Sequence, residues 1–373
     1  MDGKTVENGS VPKFCLDIPA HEAKAVPMKV NIPAAGKCYL KLIYRLKEET
    51  PLLKSGHILG FDEVALDNPS PVNQTVKKVY ERENDAKDVS FHIEETDKEY
   101  VISTDEFRYT YHKHSGLFTD MVYNHQSILV KPMEYNINRA YVDNDNEIRH
   151  QWKHAQYDRV TPRAYSSKIK VTKSFVTVES ELALGALYMQ PVLTVEAIWT
   201  IQATGAIDVA LKVNKNPVFP YLPRFGVRMF LPKNMQQVTY CGMGPNESYV
   251  DKHQSSYHGV FENTVKELHE DYLRPQENGS HYDCDYVKLS DANRILGIVS
   301  RKPFSFNASV YTQEELAMKR HNYELEESSY TVLCVDYAQS GVGSNSCGPR
   351  LAPQYQLNEN EFTFSFRITI GEV

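Results

Sequence analysis

Three polar clusters could do chemistry in this sequence: Arg139-Ala-Tyr-Val-Asp143-Asn144-Asp145, Gly242-Met-Gly-Pro-Asn246-Glu247-Ser-Tyr249 and Arg274-Pro-Gln-Glu277-Asn278-Gly279. An ionised carboxylate accepts O–H bonds on both oxygens, and an amide donates and accepts at once, so such clusters suit the vicinal hydroxyls of a sugar. Asx and Gly-Pro groups also build turns, in which case the same residues serve only the backbone. Glu247 and Glu277 could form a glycosidase carboxyl pair, which needs about 5 Å between carboxyls for retention and more for inversion. Sequence does not supply that separation. Asp143, Asn144 and Asp145 offer oxygen ligands, but without the loop spacing of a calcium site they predict no metal. The 13 histidines form no His-Glu-x-x-His pattern. There is no Gly-x-Ser-x-Gly, P-loop or Gly-x-Gly-x-x-Gly run either, so serine hydrolase, nucleotide hydrolase and dinucleotide oxidoreductase chemistry lack support.

The elements that must hold these clusters are strands. Phe362, Phe364, Phe366, Ile368 and Ile370 alternate with Thr363, Ser365, Arg367 and Thr369, the period of a half-buried strand. Cys38, Leu40, Leu42, Tyr44 and Leu46 repeat the pattern, and further β-rich stretches lie at 99–111, 192–201, 206–213 and 330–337. Helical pattern is confined to 147–157 and 313–319. The sequence therefore predicts an all-β, antiparallel chain. Asp2-Gly3 is a strong hairpin signal with only Met1 before it, so the chain is expected to begin inside a domain. Asp67-Asn-Pro-Ser-Pro71 marks a boundary. Residues 1–70 are too few for a complete sandwich of about 100 residues, and 72–373 read as one large sandwich.

Composition removes other classes. At 373 residues and a formal net charge of -7, with no basic block, the chain suits neither nucleic acid nor an anionic membrane as its main partner. No apolar run approaches the roughly 18 residues of a membrane helix, and the first residues lack the features of a signal peptide. Six cysteines (Cys15, Cys38, Cys241, Cys284, Cys334, Cys347) form no Cys-x-x-Cys pair, which predicts free, mostly buried thiols and a cytoplasmic location. Asn-x-Ser/Thr triplets such as those at Asn73 and Asn307 matter only if the chain is secreted.

The three clusters, followed by Ser340-Gly-Val-Gly-Ser-Asn345-Ser346-Cys347-Gly-Pro349, resemble the C-terminal part of β-galactosidases of glycoside hydrolase family 2, above all the separate small chain of two-subunit members. The family runs read Arg-Ala-Pro-x-Asp-Asn-Asp, Gly-x-Gly-Pro-x-Glu-x-Tyr, Arg-Pro-Gln-Glu-Asn-Gly and Gly-x-Gly-x-x-Ser-(Trp or Cys)-x-Pro. This chain departs once in the first, with Tyr141 for proline. The resemblance implies a large antiparallel super-sandwich, similar to galactose mutarotases, over 72–373. Before it, over 1–70, comes a partial immunoglobulin- or fibronectin-like sandwich. It implies that the catalytic glutamates, magnesium and a monovalent cation belong to a barrel outside this region, so that this chain supplies no catalytic residue and binds no metal or cofactor.

The partner implied is the β-galactosidase catalytic portion or large subunit, acting on β-galactosides such as lactose. Asn345, Ser346 and Cys347 match a loop that shapes the pocket receiving the leaving sugar, and cysteine there forgoes the stacking platform of tryptophan. Asn146 and Glu147 match a loop bordering the same pocket, or else a connector to the helix bearing Trp152. Arg139, Asp143, Asn144, Asp145, Glu247, Tyr249, Arg274, Glu277 and Asn278 are the family-motif residues, with Glu247 in a structural or rim role. Two alternatives stay open: a free-standing galactose-binding sandwich and a mutarotase-like epimerase, which would need a His and a Glu facing one sugar ring.

Overall fold

Alternating sequence becomes alternating burial in the strand Glu361–Gly371, where Phe362, Phe364 and Phe366 are buried while Glu361, Thr363 and Ser365 face solvent. The computed structural model describes residues 1–12, 16–81 and 89–371, so Cys15 lies outside the described residues. Every strand pair among the described residues is antiparallel. A sheet of twelve strands runs in the order Tyr257–Thr264, Gln237–Gly244, Ser280–Ser290, Ile295–Ser309, Glu361–Gly371, Ile207–Lys215, Leu193–Gln202, Phe175–Gly185 and Thr161–Val171, with the other three strands branching off. The sheet divides at Ile295–Ser309: Ile295–Val299 pairs with the last strand, and Ser305–Ser309 pairs with Tyr330–Gln339. Arg224–Pro232 lies on the far side of Tyr330–Gln339 and also pairs with Lys131–Asn136.

A five-stranded meander over residues 92–127 packs against this sheet. Phe118 meets Trp199 edge-on at 5.4 Å, the Tyr109 hydroxyl donates to the Gly205 carbonyl at 2.9 Å, and the Tyr111 and Ser180 hydroxyls bond at 2.9 Å. Buried Tyr hydroxyls need such partners, and here those partners join the two sheets. The largest hydrophobic cluster of the described residues reaches from Tyr100 to Ile368. The stretch 99–111, read as one β segment, is two strands, Glu99–Ser103 and Phe107–His112, separated by a turn in which the Thr104 hydroxyl accepts from the Glu106 and Phe107 amides.

Both expected helices form, as Ile148–His154 and Gln313–Met318, the latter capped by Thr312 accepting from the Glu315 amide. A third helix, Gln74–Glu81, was hidden behind the turn-rich boundary. Asn73 caps it, accepting from the Thr75 and Val76 amides, and Val76 is buried against Cys241, Tyr286 and Val299. Asn73 and Asn307, both in glycosylation triplets, are buried, which withdraws them from that chemistry. Among the described cysteines only Cys347 is exposed, and all are free thiols. No described helix is long and apolar enough to cross a membrane.

At the start of the chain Asp2 and Gly3 both have positive φ, the geometry their sequence predicted. A Cβ on Gly3 would lie 2.6 Å from the Gly259 carbonyl carbon, so this turn seats directly on the large sandwich. The Asp2 carboxylate accepts from the amides of Lys37 and Gln74. Of the partial sandwich expected over 1–70, the described residues show one hairpin, Cys38–Arg45 with Ile58–Leu66. It docks through one face: Tyr39 stacks on His258 at 4.0 Å, the Lys41 ammonium lies 3.3 Å from the Tyr257 ring centroid, and Phe61 meets Tyr257 edge-on.

His258 is the centre of that seam. Its Nδ1 faces Glu63 of the hairpin at 2.6 Å and its Nε2 faces Asp283 at 2.8 Å, while Lys37 pairs with Asp285 at 2.6 Å nearby. Burial opposes charge on the ring, but the two carboxylate bonds outweigh it and raise His258 to about 9 from the ordinary 6.5. With the folded-state pKa raised, this contribution is complete below about pH 6.5 and lost as pH rises through about 9. At about 1.4 kcal/mol per pH unit it amounts to no more than roughly 3.5 kcal/mol. Thermal unfolding between pH 6 and 10 should therefore show a fall in Tm across pH 6.5–9 that His258→Gln flattens; an identical slope in the variant would contradict the assignment.

Candidate functional site

Residues 139–150, 245–256, 270–279 and 340–350 form four loops knotted together by buried charge. Arg139, fully buried, donates Nε and Nη2 to the two oxygens of Asp145 at 3.1 and 2.6 Å, and Nη1 to the Ser340 carbonyl at 2.7 Å. Burial alone would lower the Arg139 pKa, yet Asp145 and Glu277 raise it. The second oxygen of Asp145 also accepts from the Val142 amide. Glu277 accepts from the Ala140 amide at 3.1 Å and from Arg224 Nη1 at 2.5 Å. Arg224 in turn forks onto Asp336 at 3.1 and 2.5 Å. Burial pushes Asp336 up to about 6 even against the Arg224 guanidinium, which leaves it ionised at neutral pH.

Glu247 is used in the same way. It accepts from Lys252 Nζ at 2.5 Å, from the hydroxyls of Tyr249 and Tyr272, and from the Gly279 amide at 2.9 Å. Gly279 has a positive φ, and a Cβ there would meet the Leu268 carbonyl at 2.4 Å, so the Asn-Gly pair is required by backbone geometry. Asn278 accepts from the Glu270 amide and donates to the Gln276 carbonyl. Glu247 and Glu277, the tempting carboxyl pair, are each buried with both oxygens bonded, so neither is presented to a substrate. The small space lined by Glu277, Arg228, Asn307, Tyr311 and Cys334 is about 10 Å³, room for no more than one water. His281 is buried between Tyr240 and Phe306, with burial bringing it down to about 4; it is neutral and shielded, unsuited to acid–base exchange with a sugar.

Asp143, Asn144 and Asp145 diverge. Asp145 is held by Arg139, the Asn144 amide donates to the Val342 carbonyl at 2.5 Å, and exposed Asp143 lies 3.8 Å from Arg274. Tyr141, standing where the motif has proline, packs against Trp152 at 5.7 Å with a buried hydroxyl that finds no protein partner.

The outward-facing residues form a rim. Asn146, Glu147, Ser346 and Cys347 are exposed, and Asn146 accepts from Arg149. Glu147 bonds Arg350 at 3.0 Å, which brings the Asn146 loop and the Cys347 loop side by side. Asn345 is buried at φ 88°, a conformation asparagine tolerates better than most residues, and it turns Ser346 and Cys347 outward. Asp251 anchors this loop from below, accepting from the Val342 and Gly343 amides at 2.9 and 2.8 Å. A Cβ on Gly341 would lie 2.4 Å from that carboxylate. Sequence reading missed Arg224, Asp251 and Asp336. Arg224 and Asp336 carried a signal, a charge amid the apolar runs Leu-Pro-Arg-Phe-Gly-Val and Leu-Cys-Val-Asp-Tyr; Asp251 carried none.

Fold and site define a sandwich module that ties its loops with internal ion pairs and offers an exposed rim. The family described as "Beta galactosidase small chain" matches residues 103–368, and "Beta-galactosidase, domain 4" matches 1–67. The β-galactosidase of Actinobacillus pleuropneumoniae is 37% identical over 98% of this chain and 36% of its own length; that of Staphylococcus xylosus is 31% identical over the same shares. The chain belongs to the β-galactosidase small-chain family, and it spans about a third of the length of these curated relatives. A galactose 1-epimerase from Lactobacillus acidophilus superposes with a TM-score of 0.40 at 10% identity over 77% of this chain and 99% of its own, too distant to speak to activity.

Removing one partner of a buried ion pair strands the other charge, at a cost of about 3–5 kcal/mol. Asp145→Ala and Glu277→Ala should each destabilise by that order in urea unfolding, while Asp143→Ala and Arg274→Ala at the exposed pair stay within about 0.5 kcal/mol. Equal effects at the two kinds of site would refute the structural role of the motif carboxylates.

Proposed function

We propose that this chain is the non-catalytic C-terminal or small-subunit portion of a β-galactosidase, completing the pocket and the assembly in which terminal β-galactosides such as lactose are hydrolysed. The observation that carries this reading is the pairing of similarity to part of β-galactosidases, over 98% of this chain, with motif glutamates already consumed by internal bonds. Retaining hydrolysis needs a carboxylate nucleophile and a carboxylic acid open to the sugar. Those groups come from the catalytic portion or large subunit, as do magnesium and the monovalent cation. This chain contributes the rim: Asn146 and Glu147 on one loop, Asn345, Ser346 and Cys347 on the next, joined by Arg350. Free buried thiols suit the reducing cytoplasm, where we place the protein.

Alone, the chain should leave a nitrophenyl β-galactoside intact, and activity should arise on mixing with the large subunit of a two-subunit β-galactosidase. Strong turnover by the chain alone would refute the reading; galactose binding without complementation would favour a free-standing sugar-binding module. In the complementing mixture Cys347→Trp restores a stacking surface and should lower KM for lactose by roughly two- to tenfold with kcat little changed. An unaltered KM would remove Cys347 from the pocket.

A further inference from the structure

The N-terminal hairpin is joined to the large sandwich by charge and by rings, with no shared core. No described residue of 1–66 belongs to a buried hydrophobic cluster, so the joint can open without breaching the sandwich interior. At its middle the His258 ring faces two carboxylates, Glu63 of the hairpin through Nδ1 and Asp283 through Nε2. The His258 amide also donates to both Glu63 oxygens, at 3.1 and 3.0 Å. Asp283 occupies its place at a cost. It lies in a bulge, where the register of Ser280–Ser290 against Ile295–Ser309 shifts between His281 and Tyr286, and its φ is 52°. A bulge re-aims a side chain, and a left-handed aspartate persists where its surroundings hold it. Here the carboxylate is aimed at His258.

An imidazolium donates from both nitrogens, whereas the neutral ring keeps one N–H and turns a lone pair toward the other carboxylate. The surrounding groups do not replace the lost proton. Lys37 is engaged by Asp285, Lys41 lies over the Tyr257 ring, and Tyr39 stacks on the imidazole. Asp2 accepts from the Lys37 amide, the Cys241 thiol donates to Asp285 at 4.0 Å, and His253 stacks on Tyr282, the neighbour of Asp283. A neutral His258 therefore leaves Asp2, Glu63, Asp283 and Asp285 with Lys37 and Lys41 as the permanent cations. We propose that this joint is a proton-operated latch: the His258 imidazolium holds the strands Cys38–Arg45 and Ile58–Leu66 against the sandwich, and loss of one ring proton releases them as a unit while the large sandwich stays folded. The latch lies within this chain and does not depend on the proposed assembly. Because the closed state raises the His258 pKa, the latch is at full strength below about pH 6.5 and weakens until about pH 9.

Hydrogen–deuterium exchange of the full chain across this pH range, corrected for the intrinsic pH dependence of amide exchange, reads the latch. A released two-stranded hairpin is at best marginally stable. Protection of 38–45 and 58–66 should therefore fall by about tenfold or more from pH 6.5 to 9, while 207–213 and 362–368 keep theirs. His258→Gln carries no titrating proton and should make hairpin protection independent of pH. Asp283→Asn leaves the ring one carboxylate and should shrink the fall by about threefold or more. Unchanged protection at 207–213 shows that the sandwich of each variant is folded. Hairpin protection that tracks the sandwich at every pH would overturn the latch. So would a hairpin already unprotected at pH 6.5, or an equal fall in His258→Gln.

Discussion

The buried bidentate contact between Arg139 and Asp145, joined through the neighbouring Ala140 amide to Glu277 and so to Arg224 and Asp336, is the constraint that fixes the rest of the rim. Isolated charges are not tolerated in a sandwich interior, so each carboxylate must meet a guanidinium or several N–H donors. Once that condition is met the backbone has little freedom. Asp145 fixes the Val142 amide, Glu277 the Ala140 amide, Glu247 the Gly279 amide and Asp251 the Val342 and Gly343 amides. Four loops that are far apart in sequence thereby share one rigid base, and the residues above them, Asn146, Glu147, Ser346 and Cys347, are presented without being free to choose their position.

The same economy governs the joint with the hairpin. His258 lies between Glu63 and Asp283, so one imidazolium satisfies two carboxylates and draws the hairpin onto the strand Tyr257–Thr264. Tyr39 and Phe61 share that face, one stacked on His258 and the other edge-on to Tyr257, so the joint is aromatic as well as ionic.

Period-two patterns made the strands at 361–371, 193–202, 207–215 and 330–339 legible because burial on one face of a sheet writes itself into every second residue. The helix Gln74–Glu81 was not legible: eight residues with one buried valine, placed just after a Pro-rich turn, leave too short a pattern. Of the site, the motif residues were found, and for Glu247 a structural or rim role, but not the partners that hold them. Sequence places Glu247 and Glu277 in sugar-like polar clusters; only coordinates show that their oxygens are spent on Lys252, Tyr272, Gly279, Ala140 and Arg224. Long-range partners such as Asp251 with Val342 follow from folding and from no local spacing.

Motif carboxylates clamp backbone amides, and native-state hydrogen exchange of those amides reads the clamp. The amides of Ala140, Val142, Gly279 and Val342 should exchange only through global unfolding, with the same denaturant dependence as the core amides of Val209 and Phe364. Fast, denaturant-independent exchange at these four positions, with the core still protected, would show loops that open on their own, unclamped by the carboxylates.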